Sequence, residues 1–248
     1  MKKCALLGFL VLFAGSLIAA ESKPAAGADS KQVVVADSKA NDEVVAAAKK
    51  LADKANYSWR STVVVPEDSP FHPGPTDGKT EKDGMTSVKL SFGDNTTEFV
   101  LKGDKAAVNS QGEGWKSLSE IDSSDFPGRF LTGMIKNFKA PAGQAAEIAG
   151  YVKELKKEGD VYSGPLTEEG AKNLLRFRRG SDATVSNAKG SAKFWVKDGV
   201  LTKFEFKVTG AVSFNGNDMD VDRTTTVEIK DVGTTKIDVP EDAKKKLS

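Results

Sequence analysis

The sequence predicts an α+β protein: an antiparallel sheet with an N-terminal amphipathic helix and a mid-chain helical insertion. Three observations carry this. "NDEVVAAAKKLADKANYSW" (41–59) sets Val44, Val45, Ala48, Leu51 and Ala52 at helical spacing. Beyond it, runs that alternate in period two are separated by Gly93-Asp94-Asn95, Gln111-Gly112-Glu113-Gly114, Asp198-Gly199 and Asn215-Gly216, the turn chemistry of hairpins. Between 124 and 138 the period changes, and Phe126, Phe130, Leu131, Met134, Ile135 and Phe138 mark one buried helical face.

The elements follow in order. The first helix has its N-cap candidate in Asn41 or Asp42 and runs into a strand on which Tyr57, Trp59, Ser61, Val63 and Val65 alternate. Residues 66–84, rich in Pro and Gly, read as one long loop. "TSVKLSF" with "TTEFVLK", and "KAAVN" with "GWKSL", read as two hairpins. A second helical or loop segment starts at Pro141, after which "YVKELKKEGDVYSGPL" returns to strands. "TEEGAKNLLRF" is a short helix capped by Thr167, with early glutamates suited to the helix dipole. Residues 183–239 read as a strand meander ended by Pro240. Short connections of this kind pair strands antiparallel.

Register arguments sharpen the meander. Around Asp198-Gly199 a three-residue loop pairs Val196 with Val200, Phe194 with Thr202 and Ala192 with Phe204. One face then carries Phe194, Val196, Val200, Phe204, Phe206 and Val208; the other carries Trp195, Lys197, Leu201, Lys203, Glu205 and Lys207. Pairing across Asn215-Gly216 sets Val212 beside Met219, Phe204 beside Val227 and Lys203 beside Glu228. Arg223 breaks this apolar face, next to Val208. It either lies near the strand end and reaches the rim, or projects into a cavity toward a polar headgroup.

Lys2 and Lys3, the apolar run 5–14 and the small residues of "SLIAA" read as a secretory signal over 1–20, cleaved after Ala20. The single cysteine, Cys4, precedes the apolar run, so the expected mature chain has neither a lipid anchor nor disulfides and belongs to a periplasmic or secreted space. Residues 21–40 read as a flexible linker, and 41–248 as one domain. With 36 basic and 35 acidic residues, nothing in the charge calls for nucleic acid.

Catalytic chemistry has few carriers. The lone histidine, His72, sits in the Pro-rich loop. With one histidine and no mature cysteine, the usual zinc clusters and Cys–His dyads are excluded. No nucleophile elbow, phosphate loop or dinucleotide fingerprint occurs. "NDMDVD" (217–222) lacks the glycine and distal glutamate of a calcium loop and reads as a strand's outer face. The expectation is a non-enzymatic protein with no metal and no cofactor.

The order of elements, with "YSWRSTVVV", "GEGWKSL", "VYSGPLTEEGAKNLL", the "FWVKDGVLTKFEF" hairpin and the closing "TTVEIKDVGTTKIDVPEDA", resembles the bacterial periplasmic lipoprotein carriers and the related mycobacterial lipid-binding lipoproteins, over roughly residues 41–245. The resemblance implies a strongly curved antiparallel sheet, an unclosed half-barrel wrapped over helices, whose concave face holds acyl chains. On that expectation the cavity is lined by Trp59, Val63, Phe194, Val196, Phe204, Phe206, Val208, Met219, Arg223 and Val227. In the carriers an inward arginine helps control acyl binding; neither Arg60 nor Arg223 matches that motif by position. The implied partner is a lipid or acylated protein, bound by a monomer in transient contact with a membrane or membrane protein. The alternative is an envelope interaction module whose own helices fill the concavity.

Overall fold

The computed structural model describes residues 38–69, 72–93, 95–124, 126–176, 183–214 and 217–248. The expected signal peptide, the linker as far as residue 37 and the Asn215-Gly216 turn lie outside them. In chain order the elements are α1 (Ser38–Ala52), β1 (Asn56–Val64), β2 (Thr76–Glu81), β3 (Thr86–Phe92), β4 (Asn95–Lys102), β5 (Lys105–Ser110), β6 (Lys116–Ser117), a 3-10 turn (Leu118–Glu120), α2 (Phe126–Lys136), α3 (Pro141–Tyr151), β7 (Lys156–Glu158), β8 (Val161–Pro165), α4 (Glu168–Leu175), β9 (Thr184–Lys197), β10 (Val200–Phe214), β11 (Asn217–Lys230) and α5 (Glu241–Lys246).

All eleven strands form one antiparallel sheet, ordered β6-β5-β4-β3-β2-β1-β11-β10-β9-β8-β7. Two meanders, β1–β6 and β7–β11, are joined where the first strand pairs with the last, Ser61 opposite Val227. The edges β6 and β7 do not meet, which makes the α+β fold a curved, unclosed half-barrel. The chain passes from one edge to the other through α2 and α3, so this crossover supplies helices to the inner face. Val44, Ala47, Ala48 and Leu51 of α1, Ala145 and Ile148 of α3, and Ala171 and Leu175 of α4 share one core with that face. Phe138, just past α2, stacks on Trp59 at 6.1 Å and meets Phe99 edge-on at 5.5 Å, so the α2 end covers the β1–β5 half.

Several sequence readings need correction. The first helix begins at Ser38, within the expected linker and ahead of Asn41, with Ala40 already buried. The Asn41 side chain works elsewhere: its amide donates to Ala149 O (3.2 Å) and its oxygen accepts from Leu155 N (3.3 Å), pinning α1 to the end of α3. The long loop contains β2, a strand almost without apolar residues because the Trp59 ring covers its inner surface at Gly78. Of the six residues expected on the α2 face, Phe130 is instead 43% exposed, while Ile135 is buried and Leu131, Met134 and Phe138 pack on the core. Pro141 opens a true helix, as its fixed φ suits a first turn. The expected closing strand is absent: residues 231–240 run off the sheet into α5. There Ile237, Val239, Ala243 and Leu247 join Val100, Ala107 and Trp115 in a second small core on the outer face.

The 198–199 hairpin departs from the expected register. Asp198 and Gly199, at φ +53° and +72°, make a two-residue turn that pairs Lys197 with Val200. Thr202 then bulges, its hydroxyl donating to Trp195 O (3.2 Å), and the ladder resumes with Lys203 opposite Trp195 and Phe204 opposite Phe194. The bulge moves Leu201 to the inner face, where it is fully buried beside Val196, while Val200, opposite Lys197, is half-buried and still packs at the edge of the core. Val212–Met219, Phe204–Val227 and Lys203–Glu228 pair as the sequence predicts.

Candidate functional site: the concave sheet face

The ten residues singled out from the sequence lie on four neighbouring strands. Trp59 and Val63 are on β1; Met219, Arg223 and Val227 on β11; Phe204, Phe206 and Val208 on β10; Phe194 and Val196 on β9. Cross-strand pairing holds them together on the inner face: Phe204 stands between Phe194 and Val227, and Val208 opposite Arg223. The Phe194 and Phe204 rings stack with centroids 6.5 Å apart.

Burial divides the ten. Phe194, Phe204 and Val208 are 0% exposed, sealed with α1 and α4 into the main core. The seal over β10 is tight because Gly210 has no side chain: a Cβ there would come within 2.7 Å of Leu175 Cδ1 of α4. Toward the other end of β1 and β11 the cover thins. Val63 and Met219 are half-buried there, as are their apolar neighbours Val221 and Val185. The face is therefore closed at its aromatic centre and partly open at its aliphatic end.

Arg223 follows neither sequence alternative. Its Nη2 donates to the backbone carbonyl of Leu174, in the last turn of α4, where helix carbonyls lack intrahelical partners. Burial pushes its pKa down from the ordinary guanidinium value. The cation sits at the negative end of the helix and ties α4 to β11. A second polar tie fixes α1: Tyr162 Oη donates to Glu43 (2.5 Å), which also takes Lys157 Nζ (2.8 Å). Those two bonds, Lys157 first and Tyr162 second, lower the Glu43 pKa.

Sequence reasoning put Leu201 on the wrong face and missed the outer core under α5, whereas Phe138, expected on a buried helical face, packs against Trp59 and Phe99. Trp195 keeps its expected outer position, with Lys203 Nζ 4.7 Å from its ring centre. His72 is exposed, and among the described residues no group of three His, Cys, Asp or Glu side chains could hold a metal ion. Asp218, Asp220 and Asp222 alternate on the outer face of β11, with Asp222 paired to Lys207 at 3.2 Å. No helix among the described residues is long and apolar enough to cross a membrane.

No family model matches the chain, and neither does any curated protein. Solved structures do. LprF from Mycobacterium bovis matches with TM-score 0.45 and 10% identity, over 84% of this chain and 99% of that one. Lipoprotein LppX from Mycobacterium tuberculosis matches with TM-score 0.48 and 11% identity, over 81% and 98%. A LolA superfamily protein from Nitrosomonas europaea matches with TM-score 0.31 and 10% identity, over 84% and 96%. With TM-scores below 0.5, these likenesses leave the function to the geometry above.

Proposed function

We propose that this protein binds a long apolar chain, a free lipid or the acyl group of a lipoprotein, on the concave face of its sheet and carries it outside the cytoplasm. One observation carries the reading: the inner face stays apolar beyond its helical cover, at half-buried Val63, Val185, Met219 and Val221. An acyl chain laid there gains about 0.8 kcal/mol for each methylene removed from water. The sequence resemblance supports the same assignment. A transient membrane contact during loading or release belongs to the same reading, on the strength of the sequence resemblance. The carrier acts as a monomer, without cofactor or covalent chemistry, and is exported by the segment 1–20.

A second reading has its own support. Phe194, Phe204 and Val208 are wholly buried by the protein's own helices, as in a ligand-free envelope module with a filled core. Native mass spectrometry of gently extracted protein separates the two. A carrier retains a co-purified lipid, or takes up a fluorescent fatty acid in a saturable way. Repeated purification without lipid, together with no uptake, supports the module and rejects the carrier.

A further inference from the structure

The outer face of the sheet, opposite the acyl-binding surface, carries a second and chemically different concavity. The segment leading into α5 leaves a depression of about 490 Å³, walled by Trp115, Val100, Ile237 and Pro240. Beside it lies another of about 380 Å³, bounded by Asn95, Thr96, Asn109 and Gln111. Lys89 and Glu98, opposite each other on β3 and β4 and 3.5 Å apart, line both. The two depressions thus adjoin at this ion pair and make a shallow surface groove, with an aromatic wall in one part and carboxamides in the other.

We propose that this groove binds an uncharged oligosaccharide, with Trp115 packing against a sugar ring and Asn95, Asn109 and Gln111 bonding to its hydroxyls. Charge argues first. Four basic and four acidic side chains line the larger depression, and Arg60–Asp77 (3.0 Å) and Lys89–Glu98 (3.5 Å) pair off. A groove with no net charge offers no electrostatic term to a polyanion or an anionic membrane. Polarity argues second: an acyl chain laid over these groups would strip their water and return no hydrogen bonds. A sugar returns them. Its hydroxyls both donate and accept, which matches carboxamides, carboxylates and ammonium groups together. Its C–H face is apolar, which matches the half-buried indole of Trp115. Asn109 is already oriented by the Gly114 N–H, which donates to its Oδ1 at 3.2 Å. The inference is independent of the acyl reading: although Trp59 borders the larger depression, none of Val63, Val185, Met219 and Val221, where that reading lays the acyl chain, does so.

The test is calorimetric and fluorimetric titration of the full chain with cellohexaose, chitohexaose and maltohexaose in turn, with heparin and palmitate as further arms. Saturable binding of at least one neutral hexasaccharide is expected, insensitive to salt. Trp115→Ala should weaken it about tenfold or more, as loss of a central aromatic anchor does. Because Trp115 also packs on the outer core, Gln111→Ala, at the exposed turn away from α5, is the cleaner variant. It should weaken binding about two- to tenfold, one hydrogen bond's worth, with the melting temperature unchanged. Trp195→Ala, on the other half of the outer face, should leave affinity unchanged. No saturable binding of any neutral hexasaccharide, affinity unmoved by both groove variants, or salt-sensitive binding of heparin alone would each overturn the proposal. Palmitate uptake with no sugar binding would overturn it while leaving the acyl reading intact.

Discussion

The indole of Trp59 occupies the space above Gly78: a Cβ at position 78 would lie 2.1 Å from Trp59 Cζ2. The two residues face each other across the β1–β2 ladder, and the ring then reaches Phe138 on the helical side. Gly78→Ala should therefore destabilise the protein by about 1–3 kcal/mol through overpacking, and Gly78→Val by more. Urea midpoints at constant m-value check this. Values within about 0.5 kcal/mol of wild type, as for ordinary surface changes, would mean that the ring is not held there.

The inward turn of Leu201 at the Thr202 bulge gives paired expectations. Leu201→Ala should cost about 2–5 kcal/mol, as for a fully buried leucine, whereas Val200→Ala, at a half-buried position on the core's edge, should cost clearly less, about 0.5–1.5 kcal/mol. The register read from the sequence predicts the reverse order, so the same denaturation curves decide between them.

Arg223 holds the end of α4 through the Leu174 carbonyl. Arg223→Ala should cost about 1.5–3 kcal/mol, the range for a hydrogen bond to a charged group. Amide hydrogen exchange should accelerate in α4 more than in β9 or β10. Uniform acceleration across all three elements would show that the arginine supports the core generally rather than this helix end.

Acid should loosen the outer core before the inner one. Lys246 first, then the Ser117 backbone and side chain, hold the Glu120 pKa at about 2, down from 4.5. A carboxylate whose folded value is depressed contributes stability above its unfolded pKa and loses it as pH falls, here between about 4.5 and about 2. Glu120 is exposed, so salt should shrink the effect. Trp115 fluorescence, read in a protein with the other tryptophans replaced by Phe, should report the change over that window. Glu120→Gln should flatten it, and an unchanged acid profile in that variant would remove Glu120 from the account.

The architecture is largely legible in the sequence because its signals are local. Asn-Gly and Asp-Gly turns, period-two alternation and the Thr167 cap each act within a few residues. What was not legible depends on distant partners. Thr202 has nothing in its own sequence that marks a bulge; the pairing of Phe204 with both Phe194 and Val227 selects it. β2 lacks the apolar alternation of a strand because a tryptophan on β1 supplies its packing. The polar fate of Arg223 rests on a carbonyl 49 residues away. The C-terminal helix was readable and was missed: Pro240, then Glu241 and Asp242, then Lys244–Lys246 is the charge order a short helix prefers. For the candidate site, the sequence grouped the right residues on one face but held no sign of which were sealed by α4 and which reached the opening.

The measurement closest to the central claim is photocrosslinking with a diazirine-bearing fatty acid, followed by peptide mapping. The carrier reading predicts saturable, competitor-sensitive labelling at the open aliphatic end of the inner face, on peptides containing Val63, Val185, Met219 or Val221, and its loss in Met219→Asp. Labelling that does not saturate, or that maps to the outer face around Trp115, would contradict it.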